Sequence, residues 1–534
     1  MAIKRILKKT GKVFIYILCV ILIIIISVVI FINTNYGKKI ITEKVQLYLQ
    51  KKLHTTITIA SIDYRLPKWI EITGIYVEDL HKDTLLYGER LSVDLDMLKL
   101  IKGNTYIQKV EFKNIYANIS RTENDSLFNY QFIINAFSGN KPDNQVNKDT
   151  AALKLTLKKL IFNNVRLNFN DKYTGTNITA RIGELNAEIN KFQPDRLQFE
   201  IDKFSTSGVD FSMITYKSDT SQNNSSKDTT DKNALWLTAN QFDLRNVNVS
   251  VKNEVNGMYY ANWLQHLSLS KTNLDMAKQT ASLNTLVLDS SFIKFISPKE
   301  SPKPSQDTSV SATAWNIQVN QIYMADNQLQ FDNNASPIKD GLDFSHLDVK
   351  RINLNTGIIK YSADSIIADI NQLAFADKSG FQIDTTHAGI SYNNKGVKVR
   401  ELYIRTPQSV IKNTLELEYD DIKQITAVPQ NTLVNVKLDN SIIAINDLYT
   451  LMPSVKKSLP RQKFLNSTIH LNTEVRGNLQ LLYVPFLQLR GFDGTMINAK
   501  AILYNVTDSK RLGYDINVFN TTIPKGHTKI FTTR

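Results

Sequence analysis

Residues 107–119, IQKVEFKNIYANI, and residues 157–169, LKKLIFNNVRLNF, lie over one another slot for slot, and windows starting at Ala239, Val319 and Val399 follow the same pattern. The fourth residue is always apolar: Val110, Leu160, Phe242, Ile322 and Leu402. So is the sixth: Phe112, Phe162, Leu244, Met324 and Ile404. The eighth is polar and turn-prone: Asn114, Asn164, Asn246, Asp326 and Thr406. After it the eleventh slot holds Ala117, Leu167, Val249, Leu329 and Ser409, and the thirteenth holds Ile119, Phe169, Val251, Phe331 and Ile411. Nineteen of the twenty residues in the fourth, sixth, eleventh and thirteenth slots are therefore apolar, Ser409 being the exception.

Alternation of this kind is the signature of strands with one buried face. The apolar residues move from even to odd slots across the eighth position, so a straight strand would change faces there. Asn and Asp tolerate left-handed backbone and bond their own main chain, so a turn or bulge at that slot restores the facing. Each copy is expected to be a strand, a bend and a second strand. The last four windows start 82, 80 and 80 residues apart, and weaker copies near Ile201, Leu283 and Val349 halve the unit to about 40 residues. A strand-built repeat of that length implies an array, not a globule, with about 25–30 strands if each unit supplies two or three.

Upstream, residues 13–32 (VFIYILCVILIIIISVVIFI) carry no charge, and twenty helical residues span about 30 Å. The run is too long for a signal peptide and lacks a small-residue cleavage site, so it reads as an uncleaved membrane anchor. Lys4, Arg5, Lys8, Lys9 and Lys12 precede it with no acid among residues 1–12, which places that cytoplasmic N-terminus and exports the rest. Residues 38–53 alternate as an amphipathic helix, with Ile41, Val45, Tyr48, Leu49 and Leu53 near one face and Lys and Gln opposite. It is expected to pack on the end of the sheet, a helix lying on the membrane being the alternative. Polar inserts near 138–152, 217–233 and 298–312 read as loops at the sheet margin.

Composition closes several routes. Cys19 is the only cysteine, which removes disulfide frameworks and Cys-rich zinc sites and suits a bacterial periplasmic protein. The seven histidines are scattered, and no P-loop, G-x-G-x-x-G or G-x-S-x-G occurs. S-x-x-K at Ser409–Lys412 recurs at Ser268, Ser291 and Ser454, and Ser409 fills a repeat slot. The net charge of +14 is dispersed among acids once the N-terminal cluster is set aside. No catalytic residue, metal site, cofactor or nucleic-acid partner is expected.

The order of anchor, amphipathic helix, and the blocks from Trp69 to Asp79 (W-I-x-I-x-G-I-x-V-x-D) and Leu91 to Gly103 (L-x-V-x-L-x-x-L-x-L-I-x-G) resembles the AsmA-like family, most of all its TamB branch from Bacteroidetes-type bacteria, the translocation and assembly module. The likeness is good over about 1–140 and looser through the repeats. It implies a mainly β, elongated and curved sheet with an apolar groove, a taco-like trough. It divides the chain into 1–12, 13–32, 38–53, an AsmA-like β region over 55–140 and a repeated groove over 153–534. It also implies an inner-membrane protein whose periplasmic bulk moves phospholipid between the inner and outer membranes, with a BamA-type outer-membrane partner. The groove residues are then Val110, Phe112, Leu160, Phe162, Leu167, Phe169, Phe242, Leu244, Val249, Ile322, Met324, Leu329, Phe331, Leu402 and Ile404. A scaffold that helps assemble outer-membrane proteins is the alternative, and an ordinary packed β core would give the same alternation on any single strand.

Overall fold

The computed structural model describes residues 23, 26–28, 30–65, 69–95, 106–125, 127–137, 156–193, 196–217, 234–299, 315–425, 427–453, 465–491 and 494–524. They are mainly strand, with 24 strands in one mixed sheet. Most of the anchor expected over 13–32 lies outside the described residues; 23, 26–28 and 30–32 are helical. No helix among the described residues is long and apolar enough to cross a membrane. The polar inserts also lie outside them, apart from 217, 298 and 299. The strands divide into two compact units, Met1–Gln193 with Thr206–Thr229, and Pro194–Ser205 with Thr230–Arg534.

In the first unit, β1 (Ile57–Arg65), β2 (Trp69–Glu78), β3 (Thr84–Leu95) and β4 (Tyr106–Arg121) form an antiparallel meander. β5 (Thr156–Leu157) and β6 (Lys159–Asp171) then pair in parallel with β4, and β7 (Thr176–Gln193) returns antiparallel to β6. The parallel register joins residues fifty apart: Val110 to Leu160, Phe112 to Phe162, Ala117 to Leu167 and Ile119 to Phe169. The first two copies of the repeat are thus direct neighbours, matched slot for slot.

The bend is made as the repeat pattern requires. Asn114 (φ 49°), Asn164 (φ 53°), Asn246 (φ 51°) and Asp326 (φ 50°) are all left-handed. Each sits inside one continuous strand, so the unit is a kinked strand and not two strands joined by a turn. β4 and β6 keep their register through it, and Asn164 Nδ2 donates to Asn114 Oδ1 at 2.6 Å. The effect on facing is visible at the start of the sheet: Ile57 and Ile59 lie on one side of the β1 midpoint and Ile62 and Tyr64 on the other, yet all four join one hydrophobic cluster. On β2 the same holds for Ile70 and Ile72 against Ile75 and Val77, across Gly74 at φ 62°.

Helix α1 (Asn35–Leu53), capped by the Thr34 side chain, starts three residues before the expected boundary. It closes the outer edge of β1 through a polar seam at i, i+4 spacing. Lys38 Nζ donates to Asp63 at 2.7 Å, Thr42 Oγ1 and Gln46 Oε1 accept the Ile62 and Ile59 amides at 2.9 and 3.1 Å, and Gln50 donates to the Ile57 carbonyl at 2.7 Å. An open strand edge is a pairing hazard, and this seam supplies the partners that another strand would. Ile41, Val45, Leu49 and Leu53 pack into the cluster, joined by Phe132, Ile133 and Ala136 of α2 (Gln131–Phe137). Tyr48, expected on this face, instead points outward and is exposed.

β8 (Gln198–Thr215) is shared between the units: from Thr206 onward it belongs to the first, where Thr206 donates to the Glu184 carbonyl, and up to Ser205 to the second. In the second unit β9 (Trp236–Asn253) and β10 (Met258–Asp275) are antiparallel, and β10 also pairs with β11 (Thr280–Asp289) and β12 (Phe292–Ile296). Those two are halves of one interrupted strand, both parallel to β13 (Asn316–Asp332). The half-copy starting at Leu283 pairs with the full copy starting at Val319. Beyond β13 the chain becomes an antiparallel meander. It runs through β14 (His346–Tyr361), β15 (Ser365–Asp377), with β16 (Gln382–Ile383) beside it, β17 (Thr385–Asn393), β18 (Gly396–Arg405) and β19 (Val410–Glu418). β20 (Leu433–Ala444), α3 (Ile445–Leu451), β21 (Thr468–Asn478), β22 (Leu481–Gly491), β23 (Thr495–Tyr504) and β24 (Gly513–Thr522) complete it.

Here the repeat continues with a different pairing. The copy expected near Val349 runs antiparallel to β13, with Leu329 opposite Val349. In the fifth window the bend at Thr406 is a full turn to Ser409 that joins two separate strands, β18 and β19, in place of a kink within one strand. The left-handed residue is Glu401 (φ 52°), beside a register shift between Val399 and Leu402. Ser409 is buried and ties this turn to α3 by donating to Asp447 at 2.6 Å.

A β-branched side chain cannot follow Asn164 into left-handed backbone without strain. Asn164→Val is expected to lose about 2–3 kcal/mol from the backbone penalty and the lost amide bond together, and Asn164→Gly only about 1. Urea midpoints of the two full-length variants would show the difference; equal losses would mean that the backbone conformation is not what the asparagine supplies.

Candidate functional site

The fifteen apolar residues expected to line a groove share one property: each is half-buried, neither sealed nor free. In the first unit the structure brings six together. Phe112 and Phe162 meet edge-on with ring centres 5.2 Å apart, flanked by Val110 and Leu160, while Leu167 and Phe169 continue the row beyond the kink, where Phe128 approaches Phe169 at 5.5 Å. β3 extends this patch with Leu91 and Val93, and β7 with Leu185 and Ala187. Over β1 and β2 the same face is closed by α1 and α2.

The second unit repeats the arrangement. Phe242 stacks on Phe204 at 4.6 Å, and Phe242 and Leu244 face Leu269 and Leu267 across β10. Val249 is opposite Asn262, a poorer neighbour for an apolar row. Ile322 and Met324 pair with Leu286 and Leu288, and Leu329 and Phe331 with Ile293 and Phe295, the last two rings stacked at 6.0 Å. Leu402 and Ile404 lie apart from these on β18, with β14, β15 and β17 between; Ile404 pairs with Ile411 and Leu402 with Asn413. Phe295 was missed although it is the thirteenth slot of the half-copy starting at Leu283, because only the fourth and sixth slots of that copy, Leu286 and Leu288, were read. Its signal is the aromatic F-I-K-F-I run at 292–296.

The opposite face of the first unit is charged. Arg90 on β3 reaches Glu111 on β4 at 2.9 Å and Glu71 on β2 at 3.9 Å, and Lys109 also pairs with Glu111. Side chains alternate across a strand, so one surface of the ribbon is oily and the other ionic. At the margin of the apolar patch Arg121 and Asp171, again fifty residues apart, form a buried ion pair with Nε to Oδ1 at 2.9 Å. The guanidinium lies between the rings of Phe128 and Tyr173, at 4.5 and 4.7 Å. Burial alone would raise the Asp171 carboxyl, but bonds from Arg121 and Thr174 outweigh it and hold the group below the ordinary carboxylate range. No group of acids, histidines or cysteine among the described residues is arranged to hold a metal ion.

The AsmA family model matches residues 7–301, more than half of the chain, so the chain belongs to the AsmA family. That family is associated with outer-membrane assembly and lipid transport and is linked to the envelope. Comparison with curated proteins returned no significant match.

A depressed folded-state pKa stabilises above the unfolded value, about 3.9 for Asp, and that stability is lost as pH falls through the folded value. The wild-type protein should therefore lose stability below about pH 4 through Asp171 among its acids. Arg121→Met, which leaves the carboxylate buried without its partner, should cost about 3 kcal/mol near pH 7 and flatten the acid limb of the urea midpoint. An unchanged acid limb would show that the pair does not couple to folding.

Proposed function

We propose that this chain is an envelope lipid carrier of the TamB kind. The run at 13–32 holds it in the inner membrane with its N-terminus in the cytoplasm. The periplasmic bulk moves phospholipid towards the outer membrane along the apolar face, where a BamA-type barrel would receive it. One observation carries the reading: all fifteen apolar side chains that the repeat selects stay half-exposed on their strands, which is costly unless something oily covers them. Two acyl chains of about 16 carbons lose about 20–25 kcal/mol on entering water at about 0.8 per methylene, and contact with such a face offsets much of that. The ionic back face supports the same reading, since it keeps the ribbon soluble outside a membrane.

A second reading, a scaffold for assembling outer-membrane proteins, is favoured by the far end of the second unit. There β24 pairs only with β23 among the described residues, and Tyr514, Ile516 and Val518 are exposed along it. A free edge of this kind can receive an added strand.

A photoreactive residue at Phe162 or Phe331 is expected to capture phospholipid in the native membrane, and one at Asn163 on the back face is not. Phe162→Asp with Phe331→Asp should lower the lipid that co-purifies in mild detergent, read by native mass spectrometry. Equal capture at all three positions would overturn the carrier reading, and capture of unfolded barrel protein at Val518 in its place would favour the scaffold.

A further inference from the structure

The outer side of α1 has no role in the fold described above. Its inner side is used up by the polar seam to β1 and by Ile41, Val45, Leu49 and Leu53. Outward it presents Tyr36, Leu47 and Tyr48, with 68%, 59% and 58% of their surface exposed, and the exposed lysines Lys39, Lys44, Lys51 and Lys52 against a single acid, Glu43. The apolar patch continues onto α2, where the exposed Phe137 ring lies 5.9 Å from Lys52 Nζ. Two exposed aromatics, a leucine and a row of lysines along about 28 Å of helix form an unusual surface for a segment that only caps a sheet.

We infer that this outer face of α1 lies on the membrane, with the lysines on anionic phospholipid headgroups and Tyr36, Leu47 and Tyr48 at the level of the glycerol backbone. Three observations select a lipid surface as the occupant. First, the face carries four cations to one carboxylate, complementary to an anionic leaflet. Second, it is continuous with apolar chain: Ile30 and Phe31 are exposed in the helical residues just before the Thr34 cap, and the Phe31 ring sits 6.2 Å from that of Tyr36. Third, the angle between the two segments is held by the fold. Tyr64 on β1 donates to the Ile32 carbonyl and Thr34 Oγ1 accepts the Gly37 amide at 3.0 Å, so the end of the apolar run is tied to the sheet that α1 borders. Tyrosine and lysine suit this depth, since each keeps a polar tip in water above an apolar stem. The consequence is positional. Docking would set the closed end of the first unit against the bilayer, with Leu91 and Val93 of β3 and Val110 and Phe112 of β4 the nearest apolar residues outside the helix-covered cluster.

The inference rests on the anchoring part of the proposed function and not on lipid carriage, and its test reads depth in the bilayer, not lipid capture. Full-length protein with Cys19→Ser and one spin label, at Leu47→Cys or at the exposed loop residue Val255→Cys, would be reconstituted into vesicles of phosphatidylcholine with or without phosphatidylglycerol. In the phosphatidylglycerol vesicles the Leu47 label is expected to be reached by oxygen and shielded from a water-soluble nickel chelate, with the Val255 label open to the chelate. The triple variant Lys44→Glu, Lys51→Glu, Lys52→Glu should return the Leu47 label to water. All three residues are exposed, and unchanged circular dichroism would confirm that the fold is kept. A Leu47 label as open to the chelate as that at Val255, or one still immersed in the triple variant, would overturn the proposal.

Discussion

A strand alternates its side chains, so a sheet can keep one face apolar over eighteen residues only if its sequence alternates without a slip or its backbone corrects the slip. This protein does the second. Asn114, Asn164, Asn246 and Asp326 each turn one residue into left-handed backbone within a continuous strand, and the apolar series on either side stays on one face. The correction works only if neighbouring strands make it together. Between β4 and β6 they do, and the two asparagines bond each other at the shared kink. Register, facing and the match between copies of the repeat all depend on this one backbone conformation, which asparagine adopts at little cost and a β-branched residue does not.

The sheet so built has unequal faces. Over β1 and β2 helices roof the apolar side and give a conventional core around Ile57, Ile59, Ile62 and Tyr64. From β4 onward the candidate residues stay half-exposed, while the back of the first unit is laced with ion pairs such as Arg90 to Glu111. Surface ion pairs add little stability, but they make that face unsuitable for packing and leave the apolar side as the one available for a ligand. The chain belongs to the AsmA family, which is associated with outer-membrane assembly and lipid transport, and the asymmetry of its faces accords with that association.

The edges of the sheet are treated as differently as its faces. At β1 the helix supplies hydrogen-bond partners from Thr42, Gln46 and Gln50, spaced four apart so that all three meet one strand. In sequence these residues look like a solvated side of an amphipathic helix, because glutamine and threonine are as common in water as at a strand edge. The side that the sheet leaves uncovered is the one carrying Tyr36, Leu47 and Tyr48.

Much of this was legible in the residues. The alternation, the fifty-residue offset between the first two copies and the turn-prone asparagines determined a β array with left-handed kinks, because each depends on the local preferences of a few neighbouring residues. At Thr406 the bend becomes a turn between two strands, and at Val349 alternation persists while the pairing changes from parallel to antiparallel. An apolar strand carries no record of its direction, so only the fold could show where the array gives way to a meander. Burial was also undecided by sequence: Val110 and Phe162 would read the same in a sealed sandwich or on a bare face. Whether a second layer covers them depends on where α1 and α2 end up, and that is a matter of long-range packing that no spacing in the chain specifies.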